Sequence, residues 1–288
     1  FGVDRDNYWL VMKAYKCSLR QWRARQPRDA PPDVQRAMLP LYLNVFAEVL
    51  AACAVLAERH VNHYDIKCDN VLVQPRSRST SEHEFWHPRG PAPPFTVCLC
   101  DFGEARAYTT EDEGYTTRNR GTEYVKSPEM LRIAYASQKE RDTYDRRINP
   151  GCSSLCDVWS LGCLLYELVA GEYLFFDEDW IHFYTRVTTG GPALLTPDNE
   201  RRLGNNALLL SYLRFVLISD PNRRPTLDDA ARRFASVHQR ILADYGLPPT
   251  ARVVPPRLFR ESSCSTACSS STRGDDGEHE EEASSTST

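Results

Sequence analysis

Positive charge is not in excess in this 288-residue sequence: 35 Lys and Arg face 39 Asp and Glu, for a formal net charge of -4. Without a basic field there is no general means of neutralising a phosphate backbone, so nucleic acid is not an expected partner. The ten cysteines include no CxxC pair: the close pairs Cys98/Cys100, Cys152/Cys156 and Cys264/Cys268 lack the two-residue spacer of a zinc knuckle or redox motif. Free thiols in a reducing compartment are expected instead. No stretch approaches the roughly 18 uninterrupted apolar residues of a membrane span, and no charged-then-apolar leader opens the chain. These absences describe a soluble protein of the cytoplasm, with the nucleus also open to it, that has no membrane partner. There is no internal repeat at a solenoid period. Nor is there an initial Met: the chain opens on Phe1, and "YWLVM" at 8–12 already reads as a buried strand, as if the sequence began inside a domain.

What is present suits a substantial core, since 41% of the residues are hydrophobic. Over residues 38–60, Tyr42, Val45, Phe46, Val49, Cys53 and Leu56 recur at helical spacing, which predicts a long amphipathic helix. It delivers the chain to "HYDIKCDN" (63–70). Two β-prone runs, 71–73 and 96–100, follow as a hairpin, and the Pro-, Ser- and Arg-rich stretch between them, 74–94, reads as a surface insertion. Residues 156–171, "CDVWSLGCLLYELVAG", are apolar on nearly every face and belong in the centre of a core, with Gly171 placed to cap the helix end. Further helices are predicted over 206–219 and 226–245, the latter carrying Asp228 and Asp229 near its positive end. Beyond residue 247 the composition turns to Pro, Ser and Thr and then to acids from Asp275 to Glu282, a profile that predicts a disordered tail.

Asp65, Lys67, Asn70 and the Asp101 of "LCDFGEAR" raise a question of chemistry. Singly, each is a loop residue. Together they are a carboxylate able to take a hydroxyl proton, an ammonium able to spread charge and two hard oxygen donors suited to magnesium, which are the needs of phosphoryl transfer. "HYDIKCDNVL", "DFG", "GTEYVKSPE", "DVWSLGCLLYEL" and "DPNRRPT" occur in the order and rough spacing of the eukaryotic protein kinase C-terminal lobe, and over about residues 1–243 the chain resembles that family, serine/threonine type.

The resemblance implies an α+β, mainly α fold: a kinase-like C-terminal lobe (21–246) around one buried helix, with a remnant N-lobe strand and hinge over 1–20. It implies ATP and Mg2+ as cofactors, a protein substrate, and a chain acting as a monomer. Asp65 would be the catalytic base, Lys67 would steady the transferred group, Asn70 and Asp101 would hold magnesium, and Thr122 would bond toward Asp65 and Lys67. Met12 would be the gatekeeper, and Lys13 to Tyr15 would meet the adenine. Glu129 would pair with Arg224, and Asp157 would cap the catalytic-loop backbone.

The chain also departs from the family pattern. No glycine-rich phosphate loop, strand lysine or partner glutamate precedes Phe1, so residues 1–288 by themselves are expected to transfer phosphate weakly or not at all, while the full-length protein is expected to be active. Tyr64 stands where the family commonly has Arg, which puts control by segment phosphorylation in question; Thr109, Thr110, Tyr115, Thr116 and Thr117 offer hydroxyls there, beside Arg118 and Arg120. Residues 132–155 are longer and more charged than the family pattern leads one to expect. A pseudokinase scaffold and a small-molecule phosphotransferase are the competing readings; two carboxylates facing one pocket argue against the first, and "GTEYVKSPE" and "DPNRRPT" against the second.

Overall fold

A computed structural model describes residues 2–3, 8–27, 32–109, 116–135, 153–190 and 194–248. Its strands are short: β1 (Gly2–Val3), β2 (Tyr8–Trp9), β3 (Cys17–Ser18), β4 (Val61–Asn62), β5 (Val71–Pro75), β6 (Phe95–Leu99) and β7 (Arg106–Ala107). The helices carry most of the mass: α1 (Leu19–Ala24), α2 (Pro32–Glu58), α3 (Glu82–Trp86), α4 (Pro128–Tyr135), α5 (Leu155–Ala170), α6 (Trp180–Thr189), α7 (Pro197–Arg202), α8 (Ala207–Val216) and α9 (Leu227–Asp244).

The centre is α5, in which every residue from Cys156 to Leu168 is buried. Its end is fixed twice. Gly171, at φ 84°, closes it in the left-handed conformation that a side chain disfavours. Arg23 of α1 then donates from Nε to the Leu168 carbonyl (2.7 Å) and from Nη2 to that of Val169 (2.9 Å), satisfying carbonyls the helix leaves open. Against α5 lies α2, which begins six residues before the apolar periodicity and contains Pro40. By length and composition α2 could cross a membrane, but Tyr42, Val45, Phe46, Val49 and Cys53 are buried in the core, where Phe46 meets Phe234 of α9 edge-on at 4.7 Å. The seven described cysteines are free thiols.

Around this core the predicted hairpin forms: β5 and β6 pair antiparallel from Val71↔Leu99 to Pro75↔Phe95, and β3 adds to the other edge of β5. The connection between them is not merely a surface insertion. Ser81 caps α3, and Phe85 and Trp86 enter the core, with Phe85 5.8 Å from the Phe95 ring. Two buried donors fasten it, Trp22 Nε1 to the Phe85 carbonyl (2.9 Å) and Gln26 Nε2 to that of Trp86 (3.0 Å). Proline and serine density hides such an aromatic pair, because two apolar residues show no period.

A second expectation fails at the start of the chain. Residues 8–12 do not form a continuous buried strand: among the described residues Tyr8 and Trp9 pair with β1, and Leu10, Val11 and Met12 are 73%, 85% and 72% exposed. A two-stranded ribbon has no sheet face to bury them. Residues 136–152 and the tail from 249 lie outside the described residues.

At the other end α9 starts where expected. Thr226 Oγ1 accepts from the Asp229 N–H at 3.2 Å while its hydroxyl donates to Asp229 Oδ2 at 2.8 Å. Thr226→Ala is expected to lower stability by about 1 kcal/mol, read as a shifted urea midpoint with an unchanged slope.

Candidate active site

From α2 and β4 the chain passes into the loop 63–70, and α5 holds its backbone. Asp157, in the first turn of α5, accepts from the N–H of His63 (2.7 Å) and of Tyr64 (2.8 Å). Burial pushes its carboxyl up to about 6, against the pull of those two N–H groups. Tyr64 sits at φ 64°, a conformation rare for a bulky residue, with its ring buried beside Met130, Ile133 and Cys156. Ile66 and Cys68 anchor the next residues in the main core.

Asp65, between these anchors, collects four hydrogen bonds through its carboxylate and carbonyl. Oδ1 accepts from the Thr122 N–H (2.9 Å), and Oδ2 from Lys67 Nζ (2.8 Å) and Asn70 Nδ2 (2.9 Å). Asn70 Nδ2 also reaches the Asp65 carbonyl at 2.9 Å. Lys67 Nζ donates in addition to Thr122 Oγ1. The close approach of the 121–122 backbone requires glycine: a Cβ on Gly121, at φ 79°, would lie 2.3 Å from the Tyr64 carbonyl oxygen.

Burial raises the Asp65 carboxyl, but the Lys67 ammonium and the Thr122 hydrogen bonds outweigh it and leave the group below its ordinary value of 3.8. A depressed acid contributes stability that is present above that ordinary value and is lost as pH falls through the folded one. Asp65 is therefore ionised throughout the neutral range, and the pH profile of transfer is expected to show no acid limb from this group above about pH 4. A limb near pH 6 that Asp65→Glu displaces would contradict it.

The β5–β6 register brings Asp101 alongside. Cys100 N–H donates to the Asn70 carbonyl at 2.9 Å, so the residue after it emerges next to the end of the 63–70 loop. Asp101 is exposed at φ 61°, and its Oδ1 accepts a long bond, 3.4 Å, from Gly103 N–H. His63 ties the two loops: Nδ1 accepts from the Asp65 N–H (3.3 Å), which leaves Nε2 to donate to the Cys100 carbonyl at 3.1 Å. Its ring lies 4.9 Å from that of Phe102.

Several groups here were not singled out in the sequence. His63 is one, and Arg20 another. Arg20 Nε meets Asp69 Oδ2 at 2.5 Å, its Nη2 meets Glu167 Oε1 at 2.7 Å, and its guanidinium stacks 4.0 Å over Tyr173. The cluster clamps the 63–70 loop between α1 and α5, and burial pushes Glu167 up to about 7 against the pull of Arg20. Glu167 stands 147 positions from Arg20, so no spacing signal could have joined them. Thr116 is the reverse case. Among the segment hydroxyls it is buried, and its Oγ1 accepts from Arg118 N–H and Arg120 Nε, both at 3.2 Å. Arg120 also donates to the Glu104 carbonyl at 2.9 Å and lies 5.9 Å over the Tyr64 ring. Thr110 and Tyr115 lie outside the described residues, and Thr109 and Thr117 are exposed.

Of the residues expected at the gatekeeper and adenine positions, Met12 and Lys13 are exposed and Tyr15 half-buried, with Lys13 Nζ 5.2 Å from the Tyr15 ring. A cavity of about 670 Å3 lies elsewhere, between the start of α2, the end of α5 and Tyr245, and Asp65, Lys67, Asn70, Asp101 and Thr122 do not line it.

Magnesium is a fair occupant of the Asn70 and Asp101 oxygens. Asn70 commits its NH2 to Asp65, and among the described residues no hydrogen bond engages its Oδ1. Among the described residues no three His, Cys, Asp or Glu side chains cluster to hold a metal alone, and two oxygens completed by phosphate and water are what a magnesium site uses.

The family model described as "Protein kinase domain" matches residues 3–234. A probable serine/threonine-protein kinase of Dictyostelium discoideum is 50% identical over 245 residues, covering 85% of this chain and 10% of that protein. Mitogen-activated protein kinase spm1 of Schizosaccharomyces pombe is 27% identical over 213 residues, 64% of this chain and 42% of its own. The serine/threonine-protein kinase CLA4 of Saccharomyces cerevisiae is 29% identical over 198 residues, 67% of this chain and 19% of its own. The chain thus spans less than half the length of each of these three relatives.

Proposed function

The chain belongs to the protein kinase family, and from that premise we propose that it catalyses transfer of the γ-phosphoryl group of ATP to serine or threonine hydroxyls of protein substrates. The observation that carries this reading is the bonding around Asp65: a buried carboxylate, ionised at neutral pH, held by Lys67, Asn70 and Thr122 at once.

Asp65 orients the acceptor hydroxyl and takes its proton as that oxygen bonds to the γ-phosphorus of ATP and the bond from that phosphorus to the bridging β–γ oxygen breaks, so that ADP leaves. Oδ2, which already accepts from Lys67 and Asn70, is held in position for the whole event and needs no reorganisation. Lys67, tied to both Asp65 and Thr122, keeps an ammonium beside the oxygens of the transferred group, where negative charge spreads in the transition state. Asn70 fixes the loop through its NH2 and presents Oδ1, and Asp101 presents a carboxylate from the adjoining turn. These two would hold magnesium, which when bound supplies positive charge to the phosphate oxygens. Thr122, through its N–H and its hydroxyl, joins the segment 116–127 to the Asp65–Lys67 pair, so an acceptor docked on that segment is placed relative to the base.

The relatives named as serine/threonine kinases support that acceptor class, as does Lys67 two residues after Asp65. A binding-only scaffold is the second reading, and it has no use for an ionised carboxylate held this way. Incubation of the full-length protein with labelled ATP, magnesium and peptides offering Ser, Thr or Tyr should label Ser and Thr. Nucleotide binding with no transfer to any of them would leave the scaffold; label on Tyr alone would overturn the acceptor assignment.

A further inference from the structure

Residues 83–87 read His-Glu-Phe-Trp-His, the pattern H-E-x-x-H, and the transfer chemistry uses none of them. On a helix that spacing sets two imidazoles one turn apart on a single face with a carboxylate beside them, an arrangement that holds zinc. Three fixed letters in five recur by chance, so the pattern alone carries little. The structure supplies the geometry. α3 is helical over Glu82–Trp86, and the His87 N–H donates to the His83 carbonyl at 2.8 Å, which closes the turn between the two histidines. Phe85 and Trp86 are buried while His83, Glu84 and His87 are exposed, so the three motif side chains share the outward face. The imidazole rings lie 4.9 Å apart, inclined at 46°. Zinc–nitrogen bonds of about 2.0–2.1 Å set two tetrahedral ligand nitrogens roughly 3.4 Å apart, a separation that rings at this distance reach by side-chain rotation.

The backbone beneath the pair is fixed. Ser81 caps α3, Trp22 and Gln26 donate to the carbonyls of Phe85 and Trp86, and the Arg25 guanidinium stacks 3.9 Å over the Trp86 ring. Ligands already held one turn apart lose little freedom when an ion arrives. The neighbouring Glu82 is engaged elsewhere: it accepts from Trp86 Nε1 at 2.7 Å and pairs with Lys16 at 2.6 Å. Among the described residues no hydrogen bond or ion pair engages the ring nitrogens of His83 and His87 or the Glu84 carboxylate. Imidazole nitrogen suits zinc, nickel and copper, whereas magnesium takes oxygen. Among the described residues no third His, Cys, Asp or Glu joins the pair as a ligand, so the motif lacks the third protein ligand of a zinc hydrolase and leaves the other positions to water.

We propose that His83 and His87 form a site for one divalent transition-metal ion of the zinc class, with water in the remaining positions and Glu84 accepting a hydrogen bond from that water. The ion bridges the two ends of the turn that carries Phe85 and Trp86 into the core, and so stabilises the connection between β5 and β6. This site is independent of the oxygens of Asn70 and Asp101 and of the transfer reaction.

The test titrates zinc chloride by calorimetry into the full-length protein, free of any histidine tag and in excess magnesium. One zinc is expected to bind at a site that magnesium does not displace. His83→Ala and His87→Ala should each weaken it ten-fold or more, and Glu84→Gln by about ten-fold. All variants are titrated below melting temperatures measured in chelator, so that a loss of fold is not read as a loss of ligand. Zinc at about 100 times its Kd should raise the melting temperature of the wild type by several degrees and leave that of His83→Ala unmoved. Asp65→Asn should bind zinc as the wild type does, so a failed metal site and a failed catalytic assignment are told apart. Full affinity in any of the three motif variants, or displacement by magnesium, would overturn the proposal. So would a cobalt–thiolate charge-transfer band when cobalt replaces zinc, which assigns the ion to cysteines, or one zinc per two chains, which places it between copies.

Discussion

Asp65→Asn is expected to lower kcat by about 10^2- to 10^4-fold, the range that a positioned proton acceptor supplies, with KM for ATP little changed. The asparagine keeps an oxygen for the Thr122 N–H but turns its NH2 toward Lys67 Nζ and Asn70 Nδ2, the two donors that now reach Oδ2. Three donors then share one place, so the variant should also lose about 1–3 kcal/mol of stability. The two losses separate by measurement. A thermal or urea midpoint gives the second, and steady-state kinetics well below the midpoint give the first. A variant that keeps kcat within a factor of three would remove Asp65 from the role of base, and the proposed mechanism with it.

Breaking the Glu129–Arg224 pair should produce the largest loss of stability among the substitutions considered. Both side chains are buried, with Nη1 to Oε1 at 2.6 Å and Nη2 to Oε2 at 2.9 Å. Arg224 also donates to the carbonyls of Ile218 and Leu155, both at 2.9 Å, and lies 5.2 Å over the Trp159 ring. Glu129→Ala leaves that guanidinium in a dry site without its counter-charge, which costs about 3–5 kcal/mol. The double variant Glu129→Leu, Arg224→Met should recover a good part of this, because no charge is then buried. Against the pull of burial, the guanidinium keeps the Glu129 carboxyl below its ordinary 4.5. The pair's contribution is therefore complete above pH 4.5 and declines as pH falls through the lower folded value. Urea unfolding of the single and double variants measures all of this; a single-variant loss under about 1 kcal/mol would show the pair to be solvated.

Much of the helical architecture was legible in the sequence because its signal is local. Apolar spacing marked α2 and α8, the all-round apolar run marked α5, Gly171 marked its end, and Thr226 with Asp228 and Asp229 marked the start of α9. The site residues were legible for a different reason: Asp65, Lys67 and Asn70 fall within six positions on one loop, and Asp101 follows the second strand of a hairpin. Where period was missing, so was the signal. Phe85 and Trp86, enclosed by Pro, Ser and Arg, read as surface and prove to be core. Trp9 to Met12 read as a buried strand and are largely exposed, because burial depends on what packs against a segment and not on its own composition.

By its local patterns the sequence determined which segments coil, where they stop, and which residues have the chemistry of phosphoryl transfer. Only the tertiary structure decided that Arg20 would clamp Asp69 to Glu167, that Thr116 would be enclosed by Arg118 and Arg120, and that Phe176, Trp180 and Ile181 would remain exposed. A helix or a turn follows from neighbours a few positions apart. A buried charge pair or an open apolar face arises between residues up to about 150 positions apart, and burial, the quantity that sets their energies, exists only once the chain has packed.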